Sequence, residues 1–160
     1  MDLAVWQQPA VIQHTQRLLH SFYHWTGQSL LSHQGDPEAE AQALFTASFV
    51  VVSHGTQADP ILNYGNQVAL DLWQMDWHRF TATPSRCTAE PMEREERAKL
   101  LAQAKAQGFI NNYQGIRISS TGQRFYIQDV VIWDVLDEAH QPCGQAATFN
   151  QWQFINAEKP

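Results

Sequence analysis

The chain has 160 residues, which is enough for one domain that buries a core without disulfides or metals. Only 10 Lys and Arg stand against 16 Asp and Glu, and the formal net charge is -6. Because duplex binding depends on clustered basic residues, this balance argues against a nucleic-acid partner. No apolar run reaches the roughly 20 residues that span a bilayer, which argues against a membrane protein.

The cysteines and the first residues both predict a cytoplasmic protein. Cys87 and Cys143 are far apart and form no metal or redox motif, which fits reduced thiols. The opening segment, "MDLAVWQQPAVIQ", lacks the basic stretch and apolar core of a signal peptide. With no repeat and no linker, we expect a single cytoplasmic domain over residues 1–160.

The first part of the chain predicts a helix, two strands and a further helix. Apolar residues recur at helical spacing over residues 9–26, and Gly27 is a natural stop. The segment "ALFTASFVVVSHG", from Ala43 onward, is rich in Phe, Val and Thr and predicts a buried strand. A short strand over residues 61–64 follows, and Asn66 is well suited to cap the next helix.

The second part predicts one strong helix followed by three strands. "MEREERAKLLAQAKAQG" has acidic residues in its first turn and ends at Gly108. "FINNYQGIRIS" and "QRFYIQDVVIWDVLDE" are joined by the hairpin turn Ser120-Thr121-Gly122. In the third strand, "PCGQAATFNQWQFI", Trp152 and Phe154 could extend the pairing. This order favours an α+β fold with one antiparallel sheet and helices on one face.

Four segments, in this order, resemble the MEKHLA domain family, which is related to PAS domains. They are "ILNYGNQVALDLWQMDW", "PSRCTAEPMEREERAKLL", "GFINNYQGIRISSTGQRFYIQD" and "WDVLDEAHQPCGQAATF". The resemblance extends to about Phe149, and "EPMEREER" and "RISSTGQRF" are its most specific parts. Cys87 stands where a polar or basic residue is expected. The family includes stand-alone bacterial proteins, notably cyanobacterial ones, and a domain of plant homeodomain–leucine-zipper factors, whose DNA-binding parts are absent here.

The resemblance implies a PAS-like fold with a five-stranded antiparallel sheet in the order 2-1-5-4-3. Helices would cover one face, with an additional N-terminal helix at about 9–26 and a core at about 43–155. It also implies a non-enzymatic module for sensing, signalling or protein interaction, which can bind a small ligand between sheet and helices. The family has no established enzymatic activity and no universal ligand.

The strand around Phe125 supplies the candidate ligand-binding residues. Steps of two from Phe125 place alternate residues on one face: Phe125, Ile127, Asp129, Val131, Trp133 and Val135. Pairing across the hairpin turn puts Arg117 opposite about Phe125, with Tyr113 beside it. The candidate site is therefore Tyr113, Arg117, Phe125, Ile127, Asp129 and Trp133. Two alternatives remain open: a bulge at Gln128-Asp129 that reverses the alternation, and a structural ion pair or exposed side chains.

Cofactor and metal chemistry find little support in the sequence. Cys87 lies roughly where photosensory PAS domains carry a flavin-reactive cysteine, but "PSRCTAEP" differs from their "NCRFLQ" pattern. His20 and His24 can share one helix face, yet no third ligand accompanies them, which argues against metal or haem. No cofactor is required by the sequence.

Catalytic motifs are also missing, and two functional classes stay open. No GxSxG, P-loop or GxGxxG motif occurs, and the carboxylates of "EREER" suit the start of a helix. The leading hypothesis is the non-enzymatic module. The alternative is a small cone-shaped α+β enzyme, isomerase-like or hydratase-like, with Asp129 as a buried general base.

The N-terminal helix predicts self-association. It carries several aromatic residues, and exposed apolar patches often mark interfaces: Trp6, Phe22, Tyr23 and Trp25. We expect a homodimer formed through this helix and the outer face of the sheet. The alternative is that these aromatic side chains pack on their own sheet.

Overall fold

The computed structural model describes residues 3–32, 35–89 and 91–155. Within residues 91–107 it describes only some of the side chains. The helices are α1 Pro9–Thr26, α2 Pro37–Phe45, α3 Gln67–Trp73, α4 Trp77–Phe80 and α5 Pro91–Gln107. The strands are β1 Val50–His54, β2 Leu62–Gly65, β3 Phe109–Ile118, β4 Arg124–Leu136, β5 Pro142–Phe149 and β6 Gln151–Ile155. Short 3-10 turns occupy Val5–Gln7 and Ser85–Thr88.

The sheet has the predicted order of strands. Its antiparallel neighbours run β2-β1-β5-β4-β3, and β6 also pairs with β4. Strands β5 and β6 pair with successive parts of the same edge of β4. The residues of β6 pair with Arg124 to Gln128, and those of β5 pair with the second half of β4, so β6 continues the line of β5. The predicted extension by Trp152 and Phe154 is therefore confirmed. The α+β class with a PAS-like sheet is confirmed as well.

Helix α1 covers the outer face of the sheet and packs against α2, whereas α3, α4 and α5 flank the inner face. The Phe22 ring of α1 meets the Trp133 ring of β4 edge-on, with centroids 5.0 Å apart. The indole Nε1 of Trp25 donates to the carbonyl oxygen of Asp134 at 2.8 Å. Helix α5 contacts β3 and β4, and α3 contacts β1 and β2. None of the helices in the described ranges is both long and apolar enough to cross a bilayer.

The first strand begins later than the sequence predicted. Ala43 to Phe45 end α2, and β1 starts only at Val50. The helix begins where Asp36 accepts a hydrogen bond from the Ala39 amide at 2.8 Å, just ahead of a proline in the first turn. Leu44 and Phe45 are buried on this helix. A short apolar run is compatible with a helix or a strand, so tertiary packing determines that these residues are helical.

Strand β4 contains a bulge at Gln128 and Asp129. Ile127 pairs with Gly115 and Val130 with Tyr113, so two β4 residues face a single β3 residue. Asp129 has a φ of 53°, in the left-handed region that Asp tolerates better than most residues. The prediction that alternate residues from Phe125 to Val135 all share one face is therefore wrong, and the alternative of a bulge at Gln128-Asp129 is correct. Ile127 and Val130 face the inside, and Trp133 faces α1.

Candidate ligand-binding site

A cavity of about 60 Å³ lies between the inner face of the sheet and the helices. Its sheet wall is mostly apolar, and Trp73 of α3, Phe80 of α4 and Leu100 of α5 close the other side. No Asp or Glu is among the described residues that line it. Because a cavity of about 150 Å³ accepts benzene, this one accepts a ligand of only a few heavy atoms without rearrangement.

Arg117 places a buried positive charge in the cavity wall. It lies on β3 opposite Phe125, as predicted, and only 6% of its surface is exposed. Its Nη2 donates to the Tyr113 hydroxyl at 2.9 Å, and its Nη1 donates to the Ile116 carbonyl at 2.8 Å. The guanidinium also lies 5.4 Å from the centre of the Tyr113 ring. The aromatic face and the two acceptors orient the guanidinium, and no carboxylate among the described side chains pairs with its charge.

Gly115 makes room for this pair. It lies between Tyr113 and Arg117 on the same face of β3, and a Cβ at this position would stand 2.6 Å from the Tyr113 hydroxyl. The same Cβ would stand 3.2 Å from Arg117 Nη1. Any larger residue would therefore push the hydroxyl away from the guanidinium.

Trp73 places a further hydrogen-bond donor, its indole N–H, in the cavity wall. The side chain is 3% exposed and packs edge-on against the rings of Phe80, Phe125 and Phe149. Its indole Nε1 is buried and has no hydrogen-bond partner in the part of the chain that the structure describes. Leaving a buried donor unpaired costs about 1–3 kcal/mol, so this position favours a bound acceptor.

Two polar residues of the cavity connect it to α1. His14 Nε2 of α1 lies 2.8 Å from Ser53 Oγ. Because the Ser53 hydroxyl donates its proton to Asn63 Oδ1, the imidazole is the donor of this bond. Burial, together with the positive charge of Arg17, lowers the pKa of His14 from 6.5 to about 4. On the neighbouring strand, Gln145 Nε2 donates to Asp134 Oδ1 at 3.1 Å.

The MEKHLA domain family model matches residues 12–154, which is most of the chain. This chain belongs to the MEKHLA domain family. No curated protein sequence matches it significantly. The order of the strands, the helices over the inner face and the N-terminal helix all agree with the PAS-related fold implied by the resemblance.

Solved PAS structures share the fold of this MEKHLA domain at low sequence identity. A PAS domain of a protein from Colwellia psychrerythraea is 14% identical, with a TM-score of 0.62 over 74% of this chain and 95% of that chain. An RNA-binding light-oxygen-voltage receptor is 16% identical, with a TM-score of 0.58 over 76% of this chain and 36% of the receptor. A light-oxygen-voltage domain studied with a flavin analogue is 15% identical, with a TM-score of 0.57, over 74% and 85%. These likenesses bear on the fold alone.

The MEKHLA domain brings only part of the predicted ligand site together. Tyr113, Arg117 and Ile127 line the cavity. Phe125 is fully buried and packs on Trp73, next to the lining residues. Asp129 is exposed in the bulge, so it is neither an ion-pair partner of Arg117 nor a buried base. Trp133 lies on the opposite face, under α1.

Cys87 lies outside the cavity. Its thiol is exposed on the 3-10 turn Ser85–Thr88, in which the first and last residues, Ser85 and Thr88, line the cavity. The residue that suggested comparison with flavin-binding photosensors therefore faces solvent in this MEKHLA domain.

His24 of α1 lies against a further histidine, His140, which the sequence pattern did not connect with it. The His24 ring lies 5.6 Å from that of His140, in the loop before β5. No group of three or more metal-ligating side chains is found within the described residues. Gln145 and His54, which line the cavity, were also missed. Their facing direction follows only from the pairing of β1 and β5.

Proposed function

We propose that this MEKHLA domain is a non-enzymatic, cytoplasmic sensory module that binds a small ligand in the inner cavity. The observation that carries the proposal is the cavity itself, an apolar pocket with a few convergent polar groups, as ligand sites generally are. The unpaired Cys87 and Cys143 fit a reducing compartment. The likeness to light-oxygen-voltage domains supports a sensory function through the shared fold.

The proposed signal is a shift between two packings of the sheet, α5 and α1. Asp134 connects all three, because its amide donates to the carbonyl of Gly108 at the end of α5 and its carbonyl accepts from Trp25 of α1. Its carboxylate accepts from Gln145 in the cavity wall. A ligand that contacts Gln145 differently in the two packings would shift their populations by its differential affinity.

The enzyme alternative loses its proposed base. A cone-shaped isomerase would need Asp129 in an apolar pocket, whereas Asp129 is exposed at the bulge. The sheet order also follows the PAS pattern rather than that of a strongly curved sheet behind one long helix. No observation favours the alternative.

A ligand test follows directly from the cavity. Protein purified from its native host without refolding is expected to carry a small molecule that native mass spectrometry detects. Ala147 lines the cavity, so Ala147→Leu should reduce the bound fraction by filling the space. Ala139→Leu, in an exposed loop, serves as the matched control. Wild-type protein that carries no ligand, and that gains no thermal stability from any member of a metabolite library, would contradict the proposal.

We also propose that the domain forms a homodimer through α1 and the outer face of the sheet. Phe22 is buried against that face, while Tyr23 is 59% exposed and is the α1 aromatic residue most available to a second copy. We expect Tyr23→Asp to shift the sedimentation equilibrium toward the monomer. Phe154→Asp, at a similarly exposed aromatic residue on β6, should leave it unchanged. A wild-type monomer at high concentration would rule out the dimer.

A further inference from the structure

We propose that the ligand is a short-chain monocarboxylate whose carboxylate group binds Arg117. This inference rests on the proposed function, because it names the chemical class that the same cavity accepts. The short apolar part of the acid packs on Ile127 and Val130, which face the cavity on either side of the bulge. The charge of Arg117, the donors in the cavity wall and the size of the cavity all favour this class of ligand.

The charge of Arg117 requires an anion. Arginine stays charged in proteins, and a buried charge is rarely found without a partner. The salt bridges Arg17–Glu138 and Arg86–Asp59 both lie at the surface, and neither involves Arg117. The described cavity lining has no acidic residue, and Asp129 is exposed. A bound carboxylate would supply the missing negative charge.

Three residues of the cavity wall, Arg117, Tyr113 and Trp73, offer hydrogen-bond donors to a ligand. Arg117 has five N–H groups, and within the described part of the chain its hydrogen bonds to Tyr113 and Ile116 use two of them. The Tyr113 oxygen accepts from Arg117, so its own proton remains free to donate. Trp73 Nε1 is a donor without a partner in the described part of the chain. An ionised carboxylate has only acceptors, and it suits this set better than an amide or an alcohol.

The cavity also limits the length of the acid. A volume of about 60 Å³ accepts a molecule with the dimensions of acetate or propionate, since benzene needs about 150 Å³. An inorganic oxyanion would leave the apolar lining without contacts. We therefore infer a short organic acid, and longer acids should bind more weakly because they must displace the helices.

The test is a calorimetric titration of the full chain with sodium acetate, propionate and hexanoate, compared with acetamide, propionamide and sodium bicarbonate. Propionate should bind at least about tenfold more tightly than propionamide, because the charge-assisted hydrogen bonds are lost in the amide. Arg117→Gln should weaken propionate binding by at least about tenfold, whereas Arg117→Lys should retain part of it. Tyr113→Phe should weaken it several-fold. Arg79→Gln removes an exposed charge on α4 and should change nothing.

Each contrary outcome has one meaning. If propionate and propionamide bind equally, or if folded Arg117→Gln binds propionate as tightly as wild type, the carboxylate inference is overturned. If bicarbonate binds and the organic acids do not, the ligand is an inorganic ion and the inference is again overturned. If no acid binds but a neutral molecule co-purifies in the cavity, the inference fails while the proposed function stands. If nothing binds and nothing co-purifies, both fail. The acid–amide comparison needs only wild-type protein, so a variant that does not fold cannot leave the question open.

Discussion

Replacing Asn66 with alanine is expected to lower the free energy of unfolding by about 3 to 5 kcal/mol, because four backbone groups lose their partner. Asn66 is fully buried. Its Oδ1 accepts from the amides of Val51 and Ala69, at 3.1 and 3.4 Å. Its Nδ2 donates to the carbonyls of Leu44 and Phe49, at 3.1 and 2.8 Å. One side chain therefore joins α2, β1 and α3 behind the cavity.

Asp76 provides the matched control for Asn66. It caps the exposed start of α4 by accepting from the Arg79 amide at 2.8 Å. Because this capping bond is the one side-chain hydrogen bond that Asp76 makes within the described part of the chain, Asp76→Ala should cost about 1 kcal/mol, the ordinary value for an N-cap. Urea unfolding of the two variants measures the difference. If both lose the same stability, Asn66 is a cap and nothing more, and its three other hydrogen bonds contribute no measurable stability.

The second large effect is a loss of stability on mild acidification, caused by His14. Burial first, and the charge of Arg17 second, lower the pKa of His14 to about 4 from the ordinary 6.5. The folded protein therefore keeps His14 neutral while the unfolded chain takes up a proton below about pH 6.5. Stability should fall by about 2 to 3 kcal/mol between about pH 7 and about pH 4.5, with no further loss from this group below its folded pKa.

Two variants distinguish the effect of His14 on the pH dependence of stability from that of the other titrating groups. His14→Gln should flatten this part of the curve of unfolding free energy against pH, whereas His78→Gln, at an exposed position on α4, should leave the slope unchanged. Arg17, whose charge acts on His14, stays protonated and is paired with Glu138 at 2.7 Å. A wild-type curve that is flat over this range, or that rises toward acid, would contradict the burial of a neutral His14 under α1.

The elements and their order could be predicted from the sequence because several independent signals agree. The cap at Asn66, the hairpin turn at Gly122 and the helix end at Gly108 each mark a boundary by local chemistry. The hairpin also set the pairing of Arg117 with Phe125, which is confirmed. Where a short apolar run lacked such a marker, as in α2 before Val50, the prediction of a strand was wrong.

The sequence could not predict which face of the sheet each β4 side chain occupies beyond the bulge. Val130, Val131, Ile132 and Trp133 are all apolar, so the period-2 pattern that distinguishes the two faces is absent. Either register would bury apolar side chains, one against the cavity and one against α1. Only the left-handed conformation at Asp129 decides between them, and it moves Trp133 out of the candidate site.

The rest of the candidate site depends on contacts between distant segments. Trp73 Nε1, which has no partner among the described residues, becomes meaningful only beside the cavity that α3 forms with the sheet. Gln145 enters the site because β5 lies between β1 and β4. Local sequence patterns predict neither the position of Trp73 beside the cavity nor the position of β5 between β1 and β4.

The most direct measurement is a crystal structure of protein purified without refolding from its native host, with crystals also transferred to millimolar propionate. We predict electron density in the cavity between α3, α5 and the sheet, with a carboxylate within hydrogen-bond distance of the Arg117 guanidinium. Density that places the carboxylate elsewhere, or a cavity closed by side chains with Arg117 paired to a carboxylate of the protein itself, would contradict the account.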